Sequence, residues 1–159
     1  MPDDVKVFEV GFGEKPFTKS FSLTSFIGKP YVANGRGPAG YDCWGLVLAV
    51  ARSAGLEYPE FVIDARDCRA VAGVMQRACA DSATWLRLTD PEPWCVVLLT
   101  TERHGDHVGI AMGAPVSSPG LSSRPTHFLQ TTLRTGCILS SFHDPRFKNR
   151  IKGLYRWNR

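Results

Sequence analysis

The 159-residue sequence has no run of 18 apolar residues, which excludes a membrane-spanning helix of ordinary length. It also lacks the apolar core of a signal peptide, because Asp3, Asp4, Lys6, Glu9, Glu14 and Lys15 interrupt its opening residues. The expectation is a protein made in the cytoplasm, carried by another route if it acts beyond it. Cysteine is sparse and odd in number: five residues, at 43, 68, 79, 95 and 137, with no CxxC pair. A disulfide framework and a four-cysteine zinc site are therefore not expected. Cys68, Cys79, Cys95 and Cys137 read as small hydrophobes. Histidine is scarcer still, with four residues. His104 and His107, three apart in a Gly-Asp loop, are a weak metal signal, so no metal and no cofactor are expected. Internal repeats and low-complexity runs are missing too, and the length suits one domain over 1–159, with about 1–19 as an N-terminal extension.

What is present is unevenly placed. From Arg146 onward there are six basic residues and no acidic one. Such an end can hold phosphates, but Phe147, Tyr155 and Trp157 are interleaved with it and read as anchors of a solvated terminal segment. No nucleic-acid partner is expected.

Helical periodicity comes first along the chain. Ser25–Ile27 reads as the end of a short helix stopped by Gly28 and Pro30. The run Asn34-Gly35-Arg36-Gly37-Pro38-Ala39-Gly40 is a loop by composition. A helix follows from about Cys43, with Val47, Val50, Ala51 and Ala54 on one face, Asp42 at the N-cap and Gly55 at the stop. A second helix runs from about Asp67 to Ala80. Short Val-, Leu- and Ile-rich runs then replace helical spacing: Trp85–Leu88, Val96–Thr100, Val108–Met112, Phe128–Thr132, Ile138–Phe142 and Leu154–Trp157, with a turn at Arg134-Thr135-Gly136. Helices followed by strands predict an α+β fold, an antiparallel sheet of five or six strands with the helices packed on one face. The segment Ala114–Arg124, dominated by Pro, Ser and Gly, reads as a surface loop.

Three features carry chemistry. Cys43 follows the glycine-rich loop and opens a helix, where unpaired N–H groups and the helix dipole favour thiolate over thiol. His107 enters a strand on which Val108, Ile110 and Met112 form the core face. His107 is then expected on a face kept clear by Gly109 and Ala111 and open to the Cys43 helix. A base histidine needs a partner to hold its ring, and His127 and Gln130 are the candidates. They differ by an odd number of residues, so only one can face His107 from a regular strand, and parity does not say which.

The strings Tyr41-Asp42-Cys43-Trp44-Gly45-Leu46-Val47 and His107-Val108-Gly109-Ile110, in this order and about 60 residues apart, resemble the NlpC-type cell-wall cysteine peptidases. Gly28-Lys29-Pro30-Tyr31, Gly35-Arg36-Gly37-Pro38 and the ending Arg150-Ile151-Lys152-Gly153-Leu154-Tyr155-Arg156 are similar to the phage-tail branch of that family. The resemblance spans about residues 20–157. It implies a papain-like α+β fold and cleavage of peptidoglycan stem peptides. It also implies Cys43 as nucleophile, His107 as general base, Gln130 rather than His127 as the orienting residue, and Tyr31 as a helper of the oxyanion hole beside the Cys43 N–H. Trp44, in place of the usual small residue, is expected to shape the substrate cleft, together with Asp42 and Gly109.

Gln130 stands where the family more often has histidine; its amide oxygen is expected to accept the Nδ1–H of His107. Pro93-Trp94-Cys95 stands in place of a common Pro-Gly-Asp turn, a structural change away from the chemistry. The function so implied is a phage or prophage tail-associated wall hydrolase, with the stem peptide and phage tail proteins as partners, acting in the virion tail or at the cell wall. The alternatives are a secreted antibacterial amidase effector with the same dyad and an inactive structural tail-tip protein.

Overall fold

The structure, a computed structural model, describes residues 22–101, 105–113 and 124–158. The N-terminal extension and nearly all of the proposed Ala114–Arg124 loop lie outside the described residues, as does His104. A 3-10 turn at Leu23–Ser25 precedes helix α1 (Cys43–Ser53) and helix α2 (Cys68–Ala80). Six strands follow: β1 (Trp85–Leu88), β2 (Val96–Thr101), β3 (Gly105–Ala111), β4 (His127–Thr132), β5 (Gly136–Ser141) and β6 (Ile151–Trp157). All pairings are antiparallel, in the order β1-β6-β2-β3-β4-β5. The α+β class and the antiparallel six-stranded sheet agree with the sequence expectation.

Local chemistry sets the helix ends. Asp42 caps α1, its carboxylate accepting the Gly45 N–H at 2.6 Å. Gly55 ends it at φ 80°, and the bonds Gly55 N–H to Arg52 O and Leu56 N–H to Ala51 O form a Schellman motif. Asp67 caps α2 by accepting from the N–H groups of Arg69 and Ala70. Strands β3 and β6 begin three residues before their apolar runs, because register continues from Leu98↔Val108 to Thr101↔Gly105, and β6 pairs with β2 down to Ile151 across a bulge between Leu98 and Leu99.

The sheet separates two apolar clusters. On one face α1 buries Leu46, Val47, Val50 and Ala51 against Val96, Leu98, Val108, Ile110 and Leu129, and Met75 of α2 joins them. Each such Val, Leu, Ile or Met side chain contributes about 1.5–3 kcal/mol by leaving water. On the other face Val97, Leu99, Ala111 and Phe128 cluster with Phe142, with Phe147 of a 3-10 turn at Pro145–Phe147, and with Ile151. The basic C-terminal segment is therefore part of the sheet and its cover. Lys152 pairs with Asp106 and Arg156 with Glu92, both at 2.7 Å, while Trp157 packs on Trp85. Trp94 takes φ 64°, a left-handed conformation that glycine occupies most readily, and is buried next to Gly113. The altered Pro93-Trp94-Cys95 turn is thus absorbed by packing at the entry to β2.

Candidate active site

The approach to Cys43 is built by the glycine-rich loop. Tyr31 and Tyr41 form an isolated bridge, with Val32 N–H donating to Tyr41 O at 3.0 Å and Tyr41 N–H to Pro30 O at 3.2 Å. This lays half-buried Tyr31 alongside the segment that leads directly into Asp42 and Cys43. A Cβ on Gly45 would run into the Gly35 carbonyl, so glycine at this helical position lets the loop close onto the first turn of α1.

Within that turn the N–H groups are divided. Asp42 takes that of Gly45 through its side chain and that of Leu46 through its backbone oxygen, at 2.6 and 2.9 Å. The backbone N–H groups of Val108, Trp44 and Cys43 favour the thiolate form of Cys43. The sulfur thus adjoins the peptide that immediately follows His107. The β3–β4 ladder pairs only Ile110↔Leu129 and Ala111↔Phe128. Towards the start of β3 this pairing with β4 ends.

His107 faces Gln130. Its Nε2 is 3.2 Å from Gln130 Oε1, and Gln130 Nε2 donates to Ser140 Oγ at 2.7 Å. All three residues are buried, at 9%, 4% and 7% exposure. With the amide oxygen towards the ring, Nε2 carries the ring proton and Nδ1 is the bare acceptor. The sequence expectation named Nδ1–H as the donor to Gln130; the ring is held by the other nitrogen. His127, the rival partner, is exposed, with Nδ1 at 2.8 Å from Thr126 Oγ1.

Several expectations are corrected. The helix packs on the Val108, Ile110 and Met112 face of β3; His107, opposite Leu99 in register, lies with Gly109 and Ala111 on the other face, that of the second cluster, and not on the face of the Cys43 helix as the sequence expectation had it. Gly109 is not part of an open cleft: a Cβ there would stand 2.6 Å from Leu129 O and 3.1 Å from Phe128 Cδ2, so glycine serves the close approach of β4. Trp44 is a core residue at 6% exposure, its Nε1 donating to Pro59 O at 3.1 Å and its ring against Phe61 at 4.9 Å. It forms the inner wall of a small apolar recess shared with Cys43, Val71 and Met75. Asp42 is buried, its second oxygen bonded to Arg36 Nη1 at 2.8 Å, so the carboxylate is a cap and ion-pair partner rather than a group offered to substrate.

Electrostatics also depart from the expectation. Burial pushes the Cys43 thiol up to about 11; N–H donation from Val108, Trp44 and Cys43 opposes the rise, and the Asp42 charge adds to it. Burial lowers His107 to about 4, against the Gln130 bond, which favours the charged ring. At neutral pH the two groups rest uncharged. Desolvation outweighs the helix N-terminus here, whereas the sequence argument counted only the helix.

Sequence reasoning missed Ser140, the partner of the Gln130 amide, and Arg36. Arg36 joins Asp42 to Glu60, at 2.9 Å from Nη2 to Oε1, and so ties the loop before α1 to the segment after it. Counting register back from the β4–β5 turn, Thr132↔Gly136, places Ser140 opposite Phe128 and on the Gln130 face. Nothing in the spacing points to Arg36. Among the described residues no group of three or more His, Cys, Asp or Glu side chains could hold a metal ion, and no helix is long and apolar enough to cross a membrane.

A model of the NlpC/P60 family matches residues 28–154, which span every element of the site. The chain belongs to the NlpC/P60 family. Family members are generally cysteine peptidases and amidases that hydrolyse peptidoglycan. A search of curated proteins gave no match. In this NlpC/P60 chain the match begins at Gly28 and ends at Leu154 in β6, so it takes in all six strands up to the last few residues of β6.

Proposed function

We propose that this NlpC/P60 chain is a cysteine endopeptidase that cleaves peptidoglycan stem peptides, with Cys43 as nucleophile, His107 as base and Gln130 as the residue that positions it. The observation that supports the reading is the 3.2 Å contact of His107 Nε2 with Gln130 Oε1, which leaves Nδ1 as the acceptor of the ring. In this mechanism Nδ1 takes the Cys43 proton as the sulfur bonds to the scissile carbonyl carbon, whose π electrons move to oxygen. The backbone N–H groups of Val108, Trp44 and Cys43 stabilise the thiolate as it forms, which offsets part of the burial cost. The oxyanion is assigned to the Cys43 N–H and the Tyr31 hydroxyl; one such donor lowers the barrier by about 2.7–4 kcal/mol. Collapse breaks the C–N bond, and the proton on His107 passes to the leaving amine. Water then attacks the thioester with His107 again as base, releasing the acid and restoring the thiol.

The setting we propose is a phage or prophage tail-associated wall hydrolase, made in the cytoplasm and acting at the cell wall. It rests on the strings around Tyr31, Gly35-Arg36-Gly37-Pro38 and Arg150–Arg156. The competing reading, a structural tail-tip protein with an unused site, draws on the raised Cys43 thiol and on a neutral Gln130. Digestion of purified sacculi, followed by mass spectrometry of the soluble fragments, separates the two. The peptidase reading expects new amino termini within stem peptides from the native protein and none from Cys43→Ala. Intact sacculi in both samples would favour the structural reading.

A further inference from the structure

Between α1 and α2 the chain passes beside Cys43 without joining a helix or the sheet. Residues 60–65 alternate along this run. Phe61, Ile63 and Ala65 are half-buried, whereas Glu60, Val62 and Asp64 are exposed, Val62 at 96%. The three inward residues line the recess next to half-buried Cys43, together with Trp44, Val71 and Met75. Such alternation marks an extended segment with one face laid on apolar surface. Yet among the described residues no backbone–backbone hydrogen bond holds Glu60, Phe61, Val62 or Ile63.

The segment is fixed at its ends and latched by side chains between them. Trp44 Nε1 donates to Pro59 O at 3.1 Å on one side, and Asp67 N–H to Asp64 O at 2.9 Å on the other. Both latches come from the glycine-rich loop. Arg36 Nη2 donates to Glu60 Oε1 at 2.9 Å, and its Nε to the two Glu60 oxygens at 3.2 and 3.3 Å. Asn34 Oδ1 accepts the Ala65 N–H at 2.7 Å, and its Nδ2 donates to Asp64 Oδ1 at 3.1 Å. Asn34 does so at φ 61°, a left-handed conformation that asparagine adopts more readily than most residues. Asn34, Arg36, Glu60 and Asp64 are all exposed, so water competes for each bond and each contributes little. A segment held in this way, with no ladder of its own, opens at lower free energy than the sheet beneath it.

We propose that residues 60–65 are a strap closed over Cys43 in the resting protein, and that Asn34 and Glu60 are the latches whose release lets an extended peptide reach the thiol. The inference rests on the reading of Cys43 as nucleophile and adds a control on it. With the strap down, burial pushes the thiol up to about 11. Lifting Phe61 and Ile63 admits water to the sulfur and returns the thiol towards its ordinary range. One motion therefore opens the path and favours the thiolate.

The test reads access to the thiol. Iodoacetamide labelling of the 159-residue chain near neutral pH is followed at Cys43, Cys95 and Cys137, in the parent and in Asn34→Gly/Glu60→Ala. Glycine keeps the left-handed backbone at position 34 while deleting the carboxamide. The expected result is about ten-fold faster labelling of Cys43 in the variant, with Cys95 and Cys137 unchanged. Parent-like labelling of Cys43, or a common rise at all three cysteines, overturns the proposal. The parent alone supplies a second measurement that does not depend on the variant folding. In urea below the unfolding transition, the Cys43 rate should climb less steeply than that of Cys95, because lifting a strap exposes less surface than unfolding the sheet. Equal slopes overturn the proposal as well. Labelling uses no substrate, so the two readings fail separately. Uncut sacculi beside a strap-controlled Cys43 would end the peptidase reading alone, and cut sacculi beside a strap-independent rate would end the strap alone.

Discussion

The imidazole of His107 is held at 3.2 Å by a neutral amide, that of Gln130, which is itself anchored to Ser140 at 2.7 Å. Orientation, not charge, is what this partner supplies. Gln130→Ala is expected to lower kcat by about one to two orders of magnitude, the scale on which misplaced reacting groups act. Ser140→Ala, which only loosens the amide, should cost less, and His127→Ala should be silent. Turnover of a stem peptide by the three variants measures this. A dead His127→Ala beside an active Gln130→Ala would reverse the assignment of the orienting residue.

Folding stability should have a plateau bounded by two buried groups. His107 titrates near 4 when folded and near its ordinary 6.5 when unfolded, so between these values the unfolded chain binds the extra proton. Stability is therefore full above about 6.5 and falls as pH drops towards 4, by roughly 3 kcal/mol for this group. Cys43 titrates near 11 folded against its ordinary 9, so the unfolded chain loses the proton first and stability falls as pH rises from 9 to 11. Urea midpoints measured from pH 4 to 11 should trace that plateau; a midpoint that rises on acidification would contradict it.

Thiol reactivity should follow burial rather than helix position. At neutral pH Cys43 is expected to alkylate more slowly than a free cysteine, with a rate that climbs through the alkaline range towards 11. Cys95 and Cys137, raised further to about 12 by burial, should lag behind it. Iodoacetamide labelling read peptide by peptide gives all three rates, and a rate for Cys43 already saturated at pH 7 would place its thiolate at rest.

Gly109→Ala should unsettle the fold more than the chemistry. Its Cβ would meet the Leu129 carbonyl at 2.6 Å, backbone that cannot rotate away. A destabilisation of about 1–3 kcal/mol is expected, the range for overpacking. Denaturant unfolding checks it, and an unchanged midpoint would show that β3 and β4 can part at that position.

Asp42→Ala removes the cap of α1 and should cost about 1 kcal/mol. Asp42→Asn keeps an oxygen for the Gly45 N–H and should recover most of that, because the Arg36 partner is about one-third exposed and its ion pair contributes little. Equal losses in the two variants, compared by thermal unfolding, would shift the weight from the cap to the ion pair.

The fold was legible where one local rule acted alone. Asp42 and Gly55 bracket α1, Asp67 opens α2, and apolar runs locate all six strands. Cys43, His107 and Gln130 were named from the sequence, Gln130 by the resemblance alone, because parity left His127 equally open; it is Gln130 that meets the His107 ring. Three-dimensional assignments went astray. Facing was misread at Gly109 because the helix settled on the opposite side of β3. Charge was misread at Cys43 because desolvation depends on the segments laid over it, including Trp44 and Phe61, whose contact is absent from any local pattern. Arg36 escaped notice because its partners, Asp42 and Glu60, lie 6 and 24 residues away.

Strand β6 lies between β1 and β2, although in sequence it follows all the other strands. During synthesis β2, β3, β4 and β5 can zip as successive hairpins, and α1 already has its sheet surface in β3. β1 has no neighbour until residues 154–157 emerge to meet 85–88. The residues of the proposed centre therefore belong to the early-formed half of the molecule, while one sheet edge is sealed last. A nascent chain stalled before Ile151 would expose the flank of β2, an unpaired strand edge open to other chains. Aggregation of translation-arrested chains should accordingly depend on whether the arrest falls before or after β6.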